Sequence, residues 1–165
     1  MDIARRGFLR GRFRQFANLP RPPWARARGE FEAVCTRCDD CIGACPTHVI
    51  VRGDGGYPTV SFQSGECTFC AQCVSACKAG ALRQEDDAAP WSLKAAISAA
   101  CVTQKGVECR ICGESCEAAA IRFRPTLGGI AQPQLDETAC TGCGACVAPC
   151  PVGAVSVATP TETEQ

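Results

Sequence analysis

The chain has 165 residues, 16 of them cysteine and one histidine, and its formal net charge is zero. Much of its 46% hydrophobic content is Ala and Cys, so large apolar side chains are too few to stabilise it alone, and disulfides or bound metal must contribute. No N-terminal run is apolar enough for a secretory signal or a membrane span, which argues against an exported disulfide scaffold and predicts a cytoplasmic protein whose thiols bind metal.

Residues 1–30 are predicted to form a basic N-terminal arm. Eight of the 17 basic residues are arginines within the first 28 positions, where Asp2 is the one acidic residue. Such an arm is either a solvated tail or a docking peptide for an acidic partner surface. It matches no groove-binding motif, so nucleic acid is not an expected partner. Arg5 and Arg6 resemble a twin-arginine export signal, but the apolar stretch that must follow is missing, and we expect no export.

The cysteines fall into four groups of four, which mark an internal repeat. Groups one and two form a predicted first module over residues 31–84. Between them, residues 48–62 contain two extended segments around the Gly-rich turn 53–56, which predicts a β-hairpin. A weaker strand signal follows group two. His48 lies beside group one and is interpreted as a loop residue rather than a ligand.

Residues 85–100 are predicted to be a linker followed by a helix. The linker is polar, and Pro90 can begin the helix because proline is accepted at the first helical position. Apolar residues then recur at the i, i+3, i+4, i+7 spacing of one helix face, which indicates core packing. These residues are Leu93, Ala96, Ile97 and Ala100.

Groups three and four form a predicted second module over residues 101–158. It contains a second hairpin pattern at residues 120–135 and a short strand at residues 154–157. Residues 159–165 form a polar tail that we expect to fray. The predicted fold class is α+β, with tandem bacterial-type two-cluster ferredoxin modules that are small and held together by their clusters.

Three of the groups read C-x2-C-x2-C-x3-C, the run by which bacterial ferredoxins hold [4Fe–4S] clusters. Three thiolates bind one cluster, and the fourth reaches the neighbouring cluster. Zinc is the alternative, but it prefers two separated C-x2-C pairs at one tetrahedral site. Small loop residues such as Gly142 and Gly144 let backbone N–H groups approach the cluster sulfides. The predicted ligands are Cys35, Cys38, Cys41, Cys45, Cys67, Cys70, Cys73, Cys77, Cys140, Cys143, Cys146 and Cys150.

The third group departs from this spacing and reads C-x7-C-x2-C-x3-C. Its first cysteine should stand at position 106, which is a glycine, and Cys101 comes five residues too early. A loop that is longer by five residues can still bring the Cys101 thiolate to the site, so a fourth [4Fe–4S] cluster is expected. The alternative is a degenerate, empty or labile site. The candidate ligands are Cys101, Cys109, Cys112 and Cys116.

Exchange of the fourth cysteine between the two groups of a module defines four sites. The first site takes Cys35, Cys38, Cys41 and Cys77, and the second takes Cys67, Cys70, Cys73 and Cys45. The third site takes Cys101, Cys109, Cys112 and Cys150, and the fourth takes Cys140, Cys143, Cys146 and Cys116.

Five stretches outside the cysteine motifs add a family resemblance. They are RRGFLRG at 5–11, RPPW at 21–24, GGYP at 55–58, and IRFRPTL at 121–127 with QPQL at 132–135. With these residues the chain resembles the NapF family, ferredoxin-type accessory proteins of the periplasmic nitrate reductase system. The resemblance implies a cytoplasmic protein that binds the nitrate reductase catalytic subunit and assists its maturation before export.

No Ser/His/Asp set, phosphate loop or carboxylate pair is evident, so we expect an electron carrier or accessory protein with a protein redox partner, not an enzyme. Two alternatives stay open. One is a stable electron-transfer subunit of a respiratory or dehydrogenase complex, and the other is an interaction scaffold with structural clusters. Iron content separates the cluster counts, since about sixteen iron atoms per chain correspond to four clusters and about twelve to three.

Overall fold

The computed structural model describes residues 20–85 and 88–160, so the expected arm before residue 20 and the tail after residue 160 lie outside the described residues. Within those ranges the elements are short and of both types, in agreement with the α+β class. No described helix is long and apolar enough to cross a membrane. The helices are α1 (Arg28–Val34), α2 (Asp40–Gly43), α3 (Gln72–Ala76) and α4 (Ile111–Glu114), with 3₁₀ turns at Asp54–Gly56 and Val102–Lys105. The strands are β1 (Ile50–Arg52), β2 (Pro58–Val60), β3 (Lys94–Ile97), β4 (Ile121–Arg124), β5 (Gln132–Leu135) and β6 (Val155–Ala158).

Both hairpins predicted from the sequence are present. Strands β1 and β2 pair antiparallel with Ile50 opposite Val60, and β4 and β5 pair with Ile121 opposite Leu135. The first hairpin reverses through a 3₁₀ turn in which Gly55 has a φ of 64°. Glycine adopts this left-handed conformation without a steric cost, which is why the turn signal was readable in the sequence. Each hairpin follows the first cysteine group of its module.

The helix predicted within residues 85–100 is wrong. The segment is extended and forms β3, which pairs antiparallel with β6 so that Ala95 lies opposite Val157. Leu93 and Ala95 are buried while Ala96 is exposed, which is the alternation of a strand. The Ala-rich composition favours a helix locally, but helix propensity is a weak preference that tertiary pairing overrides.

A similar pairing closes the first module. Ala25 forms an isolated antiparallel β-bridge with Leu82, and the N–H of Arg26 donates to the carbonyl of Ala81 at 3.1 Å. In both modules, therefore, a segment before the first cysteine group pairs with the segment after the second. These paired segments begin before residues 31 and 101, and the module boundaries themselves stay a prediction.

Residues 20–30, which we expected in the arm, pack against the first module. Trp24 is buried. The Arg21 guanidinium lies 5.0 Å from the ring centre of Phe31 and forms an ion pair with Glu32 at 2.6 Å. A guanidinium over an aromatic face is attracted by the ring quadrupole, so this contact and the ion pair act together. Within the described residues, the N-terminal segment is part of the folded module.

The core consists of two clusters of buried residues. One is centred on Phe31 and the other on Ile121, and the half-buried Val147 and Val157 pack against both. Both groups of core residues include cysteines, and the thiols of these buried cysteines lie in the core rather than at the surface. The buried cysteines are Cys41, Cys45, Cys73, Cys112, Cys140 and Cys146.

Candidate iron–sulfur sites

The thiols of the first, second and fourth sites each surround a hollow. The three hollows have similar empty volumes, counted with the space open to solvent, of ≈ 340 Å³ at the first site, ≈ 320 Å³ at the second and ≈ 330 Å³ at the fourth. In every case three of the cysteines come from one group and the fourth comes from the other group of the same module. The structure therefore brings these thiols together in the sets that the exchange of the fourth cysteine predicts.

At the third site, the longer segment between the first two cysteines of group three folds into a defined turn. Cys101 precedes the 3₁₀ turn Val102–Lys105, and the buried Thr103 anchors this turn to β5. The Thr103 hydroxyl lies 3.2 Å from the Cys101 sulfur and 3.3 Å from Oε1 of Gln132. The Gln132 side chain in turn donates from Nε2 to the Thr103 carbonyl at 2.9 Å. The additional residues thus form an anchored turn beside Cys101 rather than a loose loop.

The first, second and fourth ligand loops share an unusual backbone conformation. In each loop, the residue before the second cysteine and the residue after it have positive φ. Non-glycine residues adopt this conformation rarely, and its strain persists only where the surrounding structure requires it. Arg110, the corresponding residue after the second cysteine of the third loop, has a φ of −129°, so this loop departs in backbone as well as in sequence. The pairs with positive φ are Arg37 and Asp39, Phe69 and Ala71, and Gly142 and Gly144.

The same turn follows the fourth cysteine of every group. The third residue after that cysteine has positive φ, and its N–H donates to the cysteine carbonyl at 2.9–3.2 Å. His48 is one of these residues, exposed and outside any helix or strand, as expected of a loop residue. The turn is thus repeated in all four groups, including the irregular third. The residues that close the four turns are His48, Gly80, Ala119 and Gly153.

Burial raises the thiol pKa values at the centre of the sites. Desolvation raises the pKa of Cys41 to about 11, and electrostatic interaction with Cys77 is the next largest cause. Desolvation likewise raises the pKa of Cys146 to about 12. Thiols with such pKa values are protonated at neutral pH and must lose protons to bind iron. The pKa values of Cys67, Cys73 and Cys112 are raised to about 11, also by burial first.

The charged neighbours in the third site belong to its expected set. After desolvation, the pKa of Cys112 is raised most by Cys101 and Cys109, and less by Cys150. Cys101 therefore lies close enough to act electrostatically on Cys112, despite its irregular spacing. The three other thiols of the expected third set are thus the ones that act electrostatically on Cys112.

Two of the exchanged cysteines have lowered pKa values. Burial opposes ionisation of Cys45 and Cys150, but hydrogen bonds outweigh it and lower the pKa of both. The leading donor to Cys45 is the Thr47 hydroxyl, 3.6 Å from the sulfur, and Cys150 receives the Ala154 N–H at 3.2 Å. Such donors stabilise a thiolate, and in a loaded site they would help set the reduction potential of the cluster.

The donor chemistry fits a [4Fe–4S] cluster. All sixteen cysteines are free thiols. Within the described ranges, no three His, Cys, Asp or Glu side chains converge closely enough to hold a single metal ion, and the thiols surround hollows instead. Trp24, which lines the hollow of the second site, has a buried indole N–H without a partner. Because an indole nitrogen can only donate, a sulfide or thiolate acceptor in this site would satisfy it.

Sequence reasoning missed the anchoring residues Thr103 and Trp24. A repeated Cys-x-Thr pattern was the available signal for Thr103, since Cys45 and Thr47 show the same spacing. Trp24 belongs to the RPPW stretch at 21–24, which indicates the family but no contact with a site. Its position beside the second site depends on contacts distant in sequence, which no local pattern shows.

Comparison with known proteins agrees with this arrangement. Models of a 4Fe-4S dicluster domain match residues 34–82 and 105–154. Ferredoxin-type protein NapF of Escherichia coli K12 is 49% identical over 156 residues, which cover 94% of both chains. The chain belongs to the NapF family of ferredoxin-type proteins. NapF of Haemophilus influenzae is 48% identical over 166 residues with the same coverage.

The NapF relatives confirm the family resemblance, and the two domain matches confirm tandem dicluster domains. A more distant relative is the methylamine utilization ferredoxin-type protein MauM of Methylobacillus flagellatus, 31% identical over 86% of this chain and 68% of MauM. The second dicluster match begins after Cys101, so the irregular first cysteine of group three lies outside it.

Proposed function

We propose that each of the four thiol sets holds one [4Fe–4S] cluster, with the fourth cysteine exchanged between the groups of a module. The three similar hollows and their shared loop conformation support the first, second and fourth sites. The anchored turn beside Cys101 and its charge interaction with Cys112 support the third. Once bound, the clusters supply one-electron redox chemistry. The chain's own residues hold the clusters, exclude water from them and donate hydrogen bonds to their ligands.

The exposure of particular cysteines supports electron exchange with a protein partner. Cys38 and Cys70, the second cysteines of groups one and two, are exposed, whereas Cys109 and Cys143 are half-buried. A partner that docks on the first module would therefore contact ligand residues of the first and second sites directly. The proposed role is that of a carrier or accessory protein rather than an enzyme.

The proposed role in the cell is that of a cytoplasmic accessory factor for the catalytic subunit of the periplasmic nitrate reductase. The observation that carries this proposal is the NapF likeness along 94% of the chain, which extends well beyond the cysteine motifs. The factor would supply clusters or electrons to the catalytic subunit during its maturation, before export. Its basic arm would dock on an acidic surface of that subunit.

A labelling experiment tests this role and separates its variants. Anaerobically purified protein loaded with iron-57 is mixed with iron-free catalytic subunit, the two are separated, and Mössbauer spectra of both are recorded. Transfer of the label supports cluster delivery. Reduction of an iron-loaded catalytic subunit without label transfer supports electron delivery. Absence of a complex, of label transfer and of reduction would refute the accessory role.

Two controls sharpen the result. Protein lacking residues 1–19 should hold the same iron but bind the catalytic subunit more weakly. The Cys38→Ser variant should lose the first site, so that iron falls from about sixteen to about twelve per chain. Cell fractionation tests the location, and recovery of the protein from the periplasm would contradict a cytoplasmic role.

A further inference from the structure

The ligand loops of the second and fourth sites touch across the two modules. The backbone N–H of Cys67 donates to the carbonyl of Cys143 at 2.8 Å. Cys67 is a proposed ligand of the second site and Cys143 of the fourth. One hydrogen bond therefore joins ligand residues of different modules.

The side chain of Trp91 contacts both of these loops. Its ring packs edge-on against Phe69, inside the second ligand loop, with ring centres 5.6 Å apart. A second edge-on contact joins Trp91 to Phe62 at 6.0 Å. Its indole N–H donates to the carbonyl of Thr141, inside the fourth ligand loop, at 3.0 Å. Edge-on aromatic pairs are stabilised beyond the burial of their area, so Trp91 connects the two loops through its ring on one side and its N–H on the other.

Two glycines allow the fourth ligand loop to approach so closely. A Cβ atom on Gly144 would lie 2.0 Å from Cδ1 of Phe62, and one on Gly142 would lie 2.3 Å from the carbonyl oxygen of Leu93. Neither distance is sterically possible, and the Leu93 oxygen is backbone that cannot turn aside. The absence of a side chain at Gly144 therefore allows the contact between the modules, and its absence at Gly142 allows the loop to approach the segment that carries Trp91 and Leu93.

We propose that Trp91, Gly142 and Gly144 are positioning residues that hold the second and fourth cluster sites side by side. This inference rests on the proposed ligand sets. Exchange of the fourth cysteine already joins the first site to the second and the third to the fourth. The contact between Cys67 and Cys143 then makes one continuous row, in the order first, second, fourth, third. The first and third sites lie at its ends.

Electron paramagnetic resonance of the reduced protein tests this order, because unpaired electrons on adjacent centres broaden and split each other's signals. The contribution of the inner pair is isolated in a background that carries Cys38→Ser and Cys109→Ser, which remove the two end sites. This background should hold about eight iron atoms per chain and show spin–spin interaction between its two clusters. Iron clearly below that content would count against the ligand sets, and with them against the row. The expected iron content together with two independent, narrow signals would overturn the proposed order of the sites but leave the ligand sets intact.

Gly144→Ala, introduced into the same background, should weaken the interaction, and iron and sulfide are quantified beside each spectrum so that the interaction is expressed per loaded pair of clusters. Gly128→Ala is the matched control, because Gly128 also has positive φ, at 68°, but a Cβ there meets no atom within 4 Å. Trp91→Ala should weaken the interaction, and Trp91→Phe should restore part of it by keeping the ring. An unchanged interaction in both Gly144→Ala and Trp91→Ala, at full iron content, would overturn the positioning role.

Discussion

Replacing Thr103 by valine tests whether the turn after Cys101 is what completes the third site. Thr103 is 2% exposed, and its hydroxyl lies 3.2 Å from the Cys101 sulfur and 3.3 Å from Oε1 of Gln132. Valine keeps the shape of the side chain and removes the hydroxyl. The substitution therefore separates the effect of hydrogen bonding from that of packing.

The burial of the two partners sets the expected magnitude. A hydrogen bond within a protein contributes about 1 kcal/mol, and a buried acceptor left without a donor costs about 1–3 kcal/mol. Gln132 is half-buried, so water can reach its Oε1 and the lower end of this range applies. We expect the turn to lose about 1–2 kcal/mol, which raises the fraction of molecules with a displaced Cys101 roughly five- to thirty-fold.

Iron and sulfide are measured per chain after anaerobic purification and timed exposure to an iron chelator. Thr103→Val should fall from about sixteen to about twelve iron atoms well before the wild type does. Thr59→Val is the matched control, since Thr59 is also 2% exposed and its hydroxyl donates to the Val51 carbonyl at 3.5 Å, within the first hairpin. Equal iron loss from both variants, or wild-type retention in Thr103→Val, would refute the anchoring role of the hydroxyl.

Three other predictions concern ligand exchange, proton release and the repeated turn. Cys45→Ser should remove the spectroscopic signal of the second site and spare that of the first, whereas loss of the first signal alone would contradict the exchange. Reconstitution of iron-free protein with iron and sulfide should improve as pH rises from about 7 to about 9, because thiols must lose protons to bind iron and the pKa values of Cys41 and Cys146 are raised to about 11 and about 12. A reconstitution yield that declines over this pH range, at constant protein solubility, would contradict the prediction. Ala119→Gly should stabilise the loaded protein by about 1 kcal/mol, because alanine at a φ of 49° is strained where glycine is not. Thermal unfolding measures this change, and Gly153→Ala, at the equivalent turn, should shift the midpoint in the other direction.

The features that the sequence predicts well are those whose determinants lie within a few residues of each other. Turn glycines and alternating apolar residues locate both hairpins, and the C-x2-C spacing locates the ligand loops. Strand β3 was mistaken for a helix because its partner β6 is distant in the chain, while its alanines favour a helix locally. Local sequence patterns predict secondary structure best where pairing with a distant segment does not override them.

Long-range contacts also explain what was missed at the sites. The anchoring of the turn beside Cys101 depends on Gln132, which is 29 residues away from Thr103. The small loop residues were interpreted by their proximity to a cluster, yet Gly142 and Gly144 also face Leu93 and Phe62 of distant segments. The spacing and residue type of these two glycines can be read from the sequence, but the distant residues that they contact cannot.

The turn that follows each fourth cysteine is a structural unit that the chain uses four times. One hydrogen bond and one backbone conformation recur in every group, which is the pattern of an internal repeat. Two of the turns have glycine at the last position, at Gly80 and Gly153, whereas His48 and Ala119 adopt the same conformation with a side chain. The conformation of this turn therefore does not require glycine. The four units differ in their side chains and loop lengths, and they share the path of the main chain that follows each fourth cysteine.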